Sequence, residues 1–412
     1  MRGLVTKFAV RSLGRNMRRT LLSVLGVGVG CAVALYISAF LRGSSDLRVR
    51  SIAESGFGHL QVVPGGWEET RDPDLRLEDW RRDLRAARGL ADVRVAAPRA
   101  RAMGLVAFGT RSAGVEIVGV DPEAEPGLNR LVRAIGDGRY LAPDDRGAAV
   151  VGRTIVERLG VELDDDLFLT VVGRDGGMEY AMLRIVGIVD TGSRDIDASI
   201  CHVVLEDVER LTGHEGAGEI AVLLDDRLKT DRVVSRLQAA IPGTDAVLTW
   251  KEILPGQGGD LESDEAFMNL MAGIVLVVVI LGVAGAQLTA VLERKREFAV
   301  LMALGVRGLR VVQLLLTEAV ALGLLGAAAG LVIGTPFVYH AATRGIDFTS
   351  LLGGDFSISG VLFDPVLYAR MGLWMIPHAL AVAVASALLA ALYPAWFAVR
   401  TDPRSALSLR EG

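Results

Sequence analysis

Two runs of carboxylates, Asp144–Asp145 and Asp164–Asp166, bring acids close enough together to hold a cation or share acid–base work. Each lies between apolar segments among turn-forming neighbours, and neither has EF-hand spacing, so the residues read as turns. The five histidines (His59, His202, His214, His340, His378) are scattered without ligand spacing, and no CxxC or HExxH occurs, so a zinc site is not expected. Cys31 sits in an apolar block and Cys201 in the polar middle, so no internal disulfide is expected. No GxSxG elbow is present, and no nucleophile stands visibly paired with a base. The chain also lacks GxxxxGK[ST], the backbone cradle and lysine that grip nucleotide phosphates, so any ATP used by this protein must be bound by another polypeptide. This chain is therefore expected to be non-catalytic and to hold no cofactor or metal of its own.

The elements that carry these residues fall into two classes. About half the residues are hydrophobic and the mean hydropathy is positive, unlike most soluble domains of this size. Uncharged blocks occupy the start and the last third. Leu21–Leu41 carries no charge and, at about 1.5 Å per residue, reaches roughly 30 Å, the thickness of a hydrocarbon core. Such a stretch is longer than the apolar core of a cleavable signal peptide. Three further blocks have spanning length. The predicted organisation is a basic cytoplasmic arm at 1–20, spans at 21–42, 267–292, 311–340 and 374–397, an extracytoplasmic domain at 43–266, a cytoplasmic segment at 293–310, an extracytoplasmic loop at 341–373 and a cytoplasmic tail at 398–412. Orientation follows from Arg294, Lys295, Arg296, Arg307 and Arg310, because basic residues resist translocation. Both termini are then inside. The net charge of −5 conceals an acid-free arm with Arg2, Lys7, Arg11, Arg15, Arg18 and Arg19, which suits anionic lipid. Nothing in the sequence points to nucleic acid.

Small residues recur at helix-face spacing, Gly26 and Gly30 in the first span and Gly323, Gly326, Gly330 and Gly334 in the third, a pattern that permits close helix contact. Glu318 lies inside the third apolar block, where a lone carboxylate would be costly, so a structural partner or an interfacial position is expected for it. In the polar middle, apolar runs predict strands at His59–Val63, Gly104–Phe108, Gly114–Val120, Asp166–Val172, Ala181–Val189, Cys201–Leu205 and Glu219–Leu224. Amphipathic stripes predict helices over Leu77–Arg88 and Leu228–Ile241. The fold class is thus an α-helical membrane protein with four transmembrane helices and an inserted α+β domain, itself in two subdomains.

The segments FAVRSLGRNMRRTLLSVLGVGVG (Phe8–Gly30), ERKREFAVLMALGVRGLRVVQLLLTEAVALGLLGAAAGLVIG (Glu293–Gly334) and YPAWFAVRTDPRSALSLREG (Tyr393–Gly412) resemble the FtsX-like permease family of ABC transporters. That family includes the MacB efflux permease and the lipoprotein-releasing permeases LolC and LolE. GHLQVV (Gly58–Val63) and VGRTIVERLGVELDDDLFLTVV (Val151–Val172) are similar to its periplasmic core. The resemblance implies an inner-membrane subunit, paired with a second copy or a paralogue and surrounded by lipid, whose partner ATPase binds ATP and magnesium. It also implies a coupling helix that docks on this ATPase, with Glu293, Arg294, Arg296, Glu297, Leu301, Ala303, Leu304 and Gly305 at or near the contact. The residues agree with this, since a charged start and an apolar continuation suit a short element offering one face to a partner. By similarity, ATP-driven closure of the ATPases would swing the first two spans as levers into the outer domain, moving lipoprotein, lipid or another amphipathic cargo. The alternatives are efflux with a periplasmic adaptor, or a non-transporting transmitter that activates a periplasmic enzyme. Lipoprotein-releasing permeases that use a periplasmic carrier resemble one another in a long, proline-bearing hook. Here the corresponding connection is the short VGRDGGMEY (Val172–Tyr180).

Overall fold

The computed structural model describes residues 17–241, 243–304, 306–349, 356–358 and 361–400. The basic arm up to residue 16, Gly305 and the tail from residue 401 lie outside the described residues, as do the side chains of Leu301 and Ala303. The chain forms two compact units, one built from the apolar blocks and one from the polar middle together with Asp347–Val366.

Four long helices, Met17–Glu54, Pro255–Glu293, Gly308–Thr343 and Met375–Arg400, supply the first unit, apart from residues 46–54 of the first and 255–261 of the second, which belong to the other unit. Each contains a stretch long and apolar enough to cross a membrane. The first runs well beyond the expected limit at residue 42, because Val49, Ile52 and Ala53 extend its buried stripe at helical spacing. The second begins earlier than expected, at Pro255, whose fixed φ suits the first turn of a helix. Lys295–Ala303 is a separate nine-residue helix between the second and third spans. The bundle core is rich in alanine, with Ala39, Ala327, Ala379, Ala383 and Ala390 fully or almost fully buried beside Val27, Cys31 and Leu35. Side chains this small let helix backbones approach closely.

The second unit contains one mixed ten-stranded sheet: β1 (Leu60–Val63), β2 (Val93–Phe108), β3 (Arg111–Val120), β4 (Ile135–Gly138), β5 (Ala148–Gly152), β6 (Asp166–Val172), β7 (Met178–Val189), β8 (Ile200–Val204), β9 (Glu219–Leu224) and β10 (Ala246–Thr249). Its order is β10-β1-β9-β2-β3-β8-β5-β7-β4, and β6 pairs with both β2 and β7. The strands β2-β3-β8-β5-β7-β6 therefore close on themselves as a six-stranded ring. Inside it lie Ala102, Val106, Val115, Ile117, Leu167, Leu169, Leu183 and Ile185, joined by Ile155 and Leu159 from helix Arg153–Leu159 and by Val208 and Leu211 from helix Leu205–Thr212. A second core covers β1 and β9 with helices Trp80–Arg88 and Thr230–Ala240. The expected pair of subdomains is thus a pair of cores on one continuous sheet, joined by the sixteen-residue β2.

That strand begins eleven residues before the expected Gly104, because its first half, VRVAAPRARAM, mixes arginine, alanine and proline and carries little strand signal. β4, β5 and β10 were not expected either. β5 is a five-residue run buried throughout, too short for its period to distinguish strand from helix. Leu205, expected to end a strand, opens the following helix. Within this unit the loop strand Val361–Phe363 packs Val361 and Phe363 against Val49, Ile52 and Trp250.

Candidate coupling element and its anchorage

Glu293 ends the second span, Arg294 follows as a single linking residue, and the short helix starts at Lys295. Phe298 and Ala299 are fully buried, with Phe298 seated among Val291, Val311, Leu315, Ala395 and Ala398. Arg294 is tied three ways. Its Nη1 lies 3.2 Å from Glu318 Oε2, its Nε lies 3.3 Å from Glu297 Oε2, and its guanidinium stands 5.2 Å from the Phe298 ring centroid. Glu318, largely buried in the third long helix, therefore has a charged partner at the entrance to the short helix, and the carboxylate in this apolar stretch is compensated. A cavity of about 30 Å³ beside this pair is lined by Thr20, Ser23, Gln287, Arg294 and Glu318, and is roomy enough for one water. Gln287 Nε2 is buried there without an acceptor among the described residues.

The opposite face of the short helix is open. Arg296, Val300 and Leu304 are exposed and recur every four residues, so they share one side. Glu297 is half-buried and turned to Arg294. Sequence reasoning placed Glu297 at an external contact and passed over Val300. A helical wheel anchored on Phe298 as the inward residue would have separated the two faces.

The small residues sort by partner. A methyl group built on Gly330 would lie 2.6 Å from Cys31 Cβ, one on Gly334 would lie 3.1 Å from Ala32 Cα, and one on Gly326 would overlap Val27. Gly323 faces the fourth span, 2.8 Å from Val384 Cα, and Gly30 faces Val279 of the second. Gly26 departs from the expectation: it is exposed, with nothing within 4 Å of such a methyl group. The contact stripe on this helix follows Val27, Gly28 and Cys31, and Gly26 falls outside it. Gly28, against Ala329, is the glycine that sequence reasoning missed.

Within the second unit, the stretch just after helix Met17–Glu54 is held by buried charge. Arg99 pairs with Glu125 and donates to the Gly56 carbonyl, while Asn129 Nδ2 donates to Glu125 Oε1 at 2.9 Å. Gly56 has φ 96°, and any Cβ there would strike the Arg99 guanidinium, so glycine is required. Arg101 bridges Glu116 at 2.8 Å and Glu219 at 3.1 Å. A cavity of about 290 Å³ opens beside these groups, lined among others by Phe57, Arg101, Glu116 and His202. Burial, with Arg99 and Arg101 nearby, pushes His202 down to about 3, so the ring is neutral and Nδ1 engages the Tyr140 hydroxyl at 2.8 Å. Burial pushes the Cys201 thiol up to about 12, far from a reactive thiolate. The acidic runs behave as turns: Asp145 accepts from the Ala142 amide and pairs with Arg139, and Asp165 accepts from the Glu162 amide.

The MacB-like periplasmic core domain matches residues 20–240, more than half of the chain, and the FtsX-like permease C-terminal region matches residues 269–403. The chain belongs to the FtsX-like permease family of ABC transporters. It is 23% identical over 403 residues to the lipoprotein-releasing system transmembrane protein LolC of Xylella fastidiosa strain Temecula1, covering 93% of this chain and 92% of LolC. It is 25% identical over 373 residues to the macrolide export ATP-binding/permease protein MacB of Campylobacter jejuni, covering 86% of this chain but only 56% of that longer protein. Among solved structures, the periplasmic region of MacB from Actinobacillus actinomycetemcomitans aligns at 14% identity with a TM-score of 0.36, covering 50% of this chain and 94% of that one.

In this FtsX-like permease the boundary between the two family regions, residues 240–269, falls at β10 and the start of helix Pro255–Glu293, where outer sheet gives way to span. The short helix, Arg294 and Glu318 all lie in the permease region, whereas Arg99, Glu125 and the closed ring lie in the core domain.

Proposed function

We propose that this FtsX-like permease is the membrane subunit through which a separate ATPase, binding ATP and magnesium, drives extraction or export of lipoprotein, lipid or another amphipathic cargo. The observation that carries the reading is the short helix Lys295–Ala303, anchored inward by Phe298 and Arg294 and open outward along Arg296, Val300 and Leu304. An element rooted between two spans, with a free face of one cation and two apolar side chains, is shaped to take a push and pass it on. The basic residues around it favour an inner-membrane topology with both termini cytoplasmic and the large domain periplasmic. The long first helix, whose hydrogen bonds are internal, is stiff enough to transmit displacement. Likeness to LolC over nearly both full lengths supports lipoprotein or lipid as cargo, moved by a dimer of identical or paralogous permeases.

Efflux beside a periplasmic adaptor is a second reading. It is favoured by the core-domain match and by the tight turn Gly173–Gly177 between β6 and β7, which has little length with which to hook a carrier.

Affinity purification of the full chain from its native membrane tests the main reading. An ATPase subunit is expected to copurify, and Val300→Glu or Leu304→Glu is expected to lower its recovery at least tenfold while membrane insertion is unchanged. Cargo movement by a preparation with no nucleotide-binding partner would overturn it.

A further inference from the structure

The outer wall of the closed ring is apolar where three strands cross. Register places Ala107, Phe168 and Met182 in one row and Leu105, Thr170 and Tyr180 in the next, with Met103, Val172 and Met178 at the following positions of the same face. Seven of these, Met103, Leu105, Phe168, Val172, Met178, Tyr180 and Met182, are between 44% and 68% exposed. The alternate residues of the same strands, Val106, Leu167, Leu169, Val171 and Leu183, are in the ring interior, so the wall is apolar on both faces. A sheet that meets water on one side ordinarily alternates apolar and polar, and so large an exposed patch marks a surface that another surface covers.

We infer that this wall, centred on Thr170 of β6, is a contact face for the same wall of a second copy of this chain. Three observations select that occupant. First, the outside of a ring has no walls of its own to enclose a lipid tail or a small ligand, which need a concave site. Second, β6 is hydrogen-bonded on both sides, to β2 and β7, so the centre of the patch offers side chains and no free backbone for an added strand. Third, none of its nine positions is charged. A two-fold axis sets like residues near like, which an uncharged face tolerates and a charged one does not. Charges flank the patch: Asp166 pairs with Arg184 beyond Phe168 and Met182, Arg101 lies beyond Met103, and its partner Glu116 on β3 stands directly beside Met103 at the edge of the patch. From the fractional exposures, the patch holds on the order of 700 Å² of apolar surface, near the ~800 Å² that a standard interface takes from each partner. The stacked Phe168–Tyr180 pair, ring centroids 5.5 Å apart, gives a rigid anchor, and three methionines around it give a surface that adapts to its copy.

The inference concerns the outer domain alone and stands whether or not the proposed ATPase coupling is correct. Its test is cross-linking of the full chain, purified and placed in nanodiscs without nucleotide or ATPase. The natural cysteines are both buried, so an introduced thiol reports by itself. Thr170→Cys is expected to form a homodimeric adduct with a short bis-maleimide, whereas Glu157→Cys, exposed on the helix that plugs the ring, is not. Adding Tyr180→Glu and Met182→Glu to Thr170→Cys is expected to reduce the adduct at least tenfold, and adding Met178→Leu is expected to preserve it. Absence of the adduct, equal yield from Thr170→Cys and Glu157→Cys, or yield unchanged by the glutamates would overturn the inference. So would cross-linking in native membranes only to a different protein, or burial of the patch by lipid alone.

Discussion

Arg294 Nη1 and Glu318 Oε2 stand 3.2 Å apart, which ties the linking residue before the short helix to the third long helix. Both side chains are more than four-fifths buried, so neither charge is well solvated if its partner is lost. Glu318→Ala is expected to destabilise the bundle by about 2 kcal/mol, somewhat below the ~3–5 kcal/mol for breaking a fully buried pair. The exchange Arg294→Glu with Glu318→Arg should recover most of the stability. Thermal unfolding in detergent measures both. A double exchange no better than the single change would show that the pair is not what holds the linker.

Gly330 of the third long helix and Gly26 of the first give opposite expectations. Gly330→Val places carbon where Cys31 already stands, and overpacking of this kind costs about 1–3 kcal/mol. Gly26→Ala meets nothing and replaces a poor helix former with the best one, so it is expected to be neutral or to stabilise by up to about 1 kcal/mol. The thermal midpoints of the two variants in the same detergent decide the matter. Equal midpoints would mean that the first and third spans do not pack through this stripe.

How far the sequence disclosed this arrangement depends on the period of each segment. Spans were legible because twenty uncharged apolar residues have few other uses, and β6 and β9 because they are six- or seven-residue strands with strong apolar content. The first half of β2 was not legible. It buries Arg99 through an ion pair with Glu125, a residue 26 positions away, and no local pattern announces a charge that a distant residue will neutralise. The two faces of the short helix were hidden for a related reason. Phe298, Val300, Leu301, Met302 and Leu304 are all apolar, so composition predicted amphipathicity, while only packing against Val291 and Val311 reveals that Phe298 points in and Val300 out. The apolar outer wall of the ring was likewise invisible, because β7 as read from its alternation began at Ala181 and excluded Met178 and Tyr180.

Arg99 offers a separate test of the outer domain. Its guanidinium is 2% exposed and joins Glu125 to the Gly56 carbonyl. Arg99→Met alone leaves the Glu125 carboxylate buried without its counter-charge, and a loss of about 3–5 kcal/mol is expected. Arg99→Met with Glu125→Gln should lose less than half of that, because no buried charge then remains. Urea denaturation of the full chain, followed by fluorescence, compares the two. If the double variant is no more stable than the single one, uncompensated charge is not the source of the cost.

The buried Asp245 predicts a pH dependence whose sign is opposite to that of Asp92, Glu116 and Asp145 in the same domain. Burial, assisted by the neighbouring acids Asp83 and Glu78, pushes Asp245 up to about 6, above the ~3.9 of an unfolded chain. A carboxyl that holds its proton more tightly when folded contributes stability that is fully present below about pH 4 and lost as the pH rises through about 6. Asp92, Glu116 and Asp145, held low by Lys229, Arg101 and Arg139, contribute in the other direction, but their stabilisation fades only as the pH falls below the ordinary carboxylate range. Between pH 5 and pH 7.5 Asp245 therefore outweighs these three carboxylates and favours the lower value, while the buried His202 and His59, held neutral in the fold, cost stability as the pH falls below ~6.5 and favour the higher one, so the Asp245 contribution is read from the difference between the parent chain and Asp245→Asn. Asp245→Asn stays neutral throughout, can still accept from the Glu78 amide, and offers an N–H to the buried neighbouring Asp83 carboxylate, as the protonated Asp245 does at lower pH. It should remove the Asp245 contribution, so that stability at pH 7.5 rises relative to that at pH 5, and stabilise the domain at pH 7.5 by about 1 kcal/mol, the scale of one satisfied buried polar group. Urea titrations monitored through the buried Trp250 at the two pH values measure this. A variant with the same slope as the parent chain would place the titrating group elsewhere.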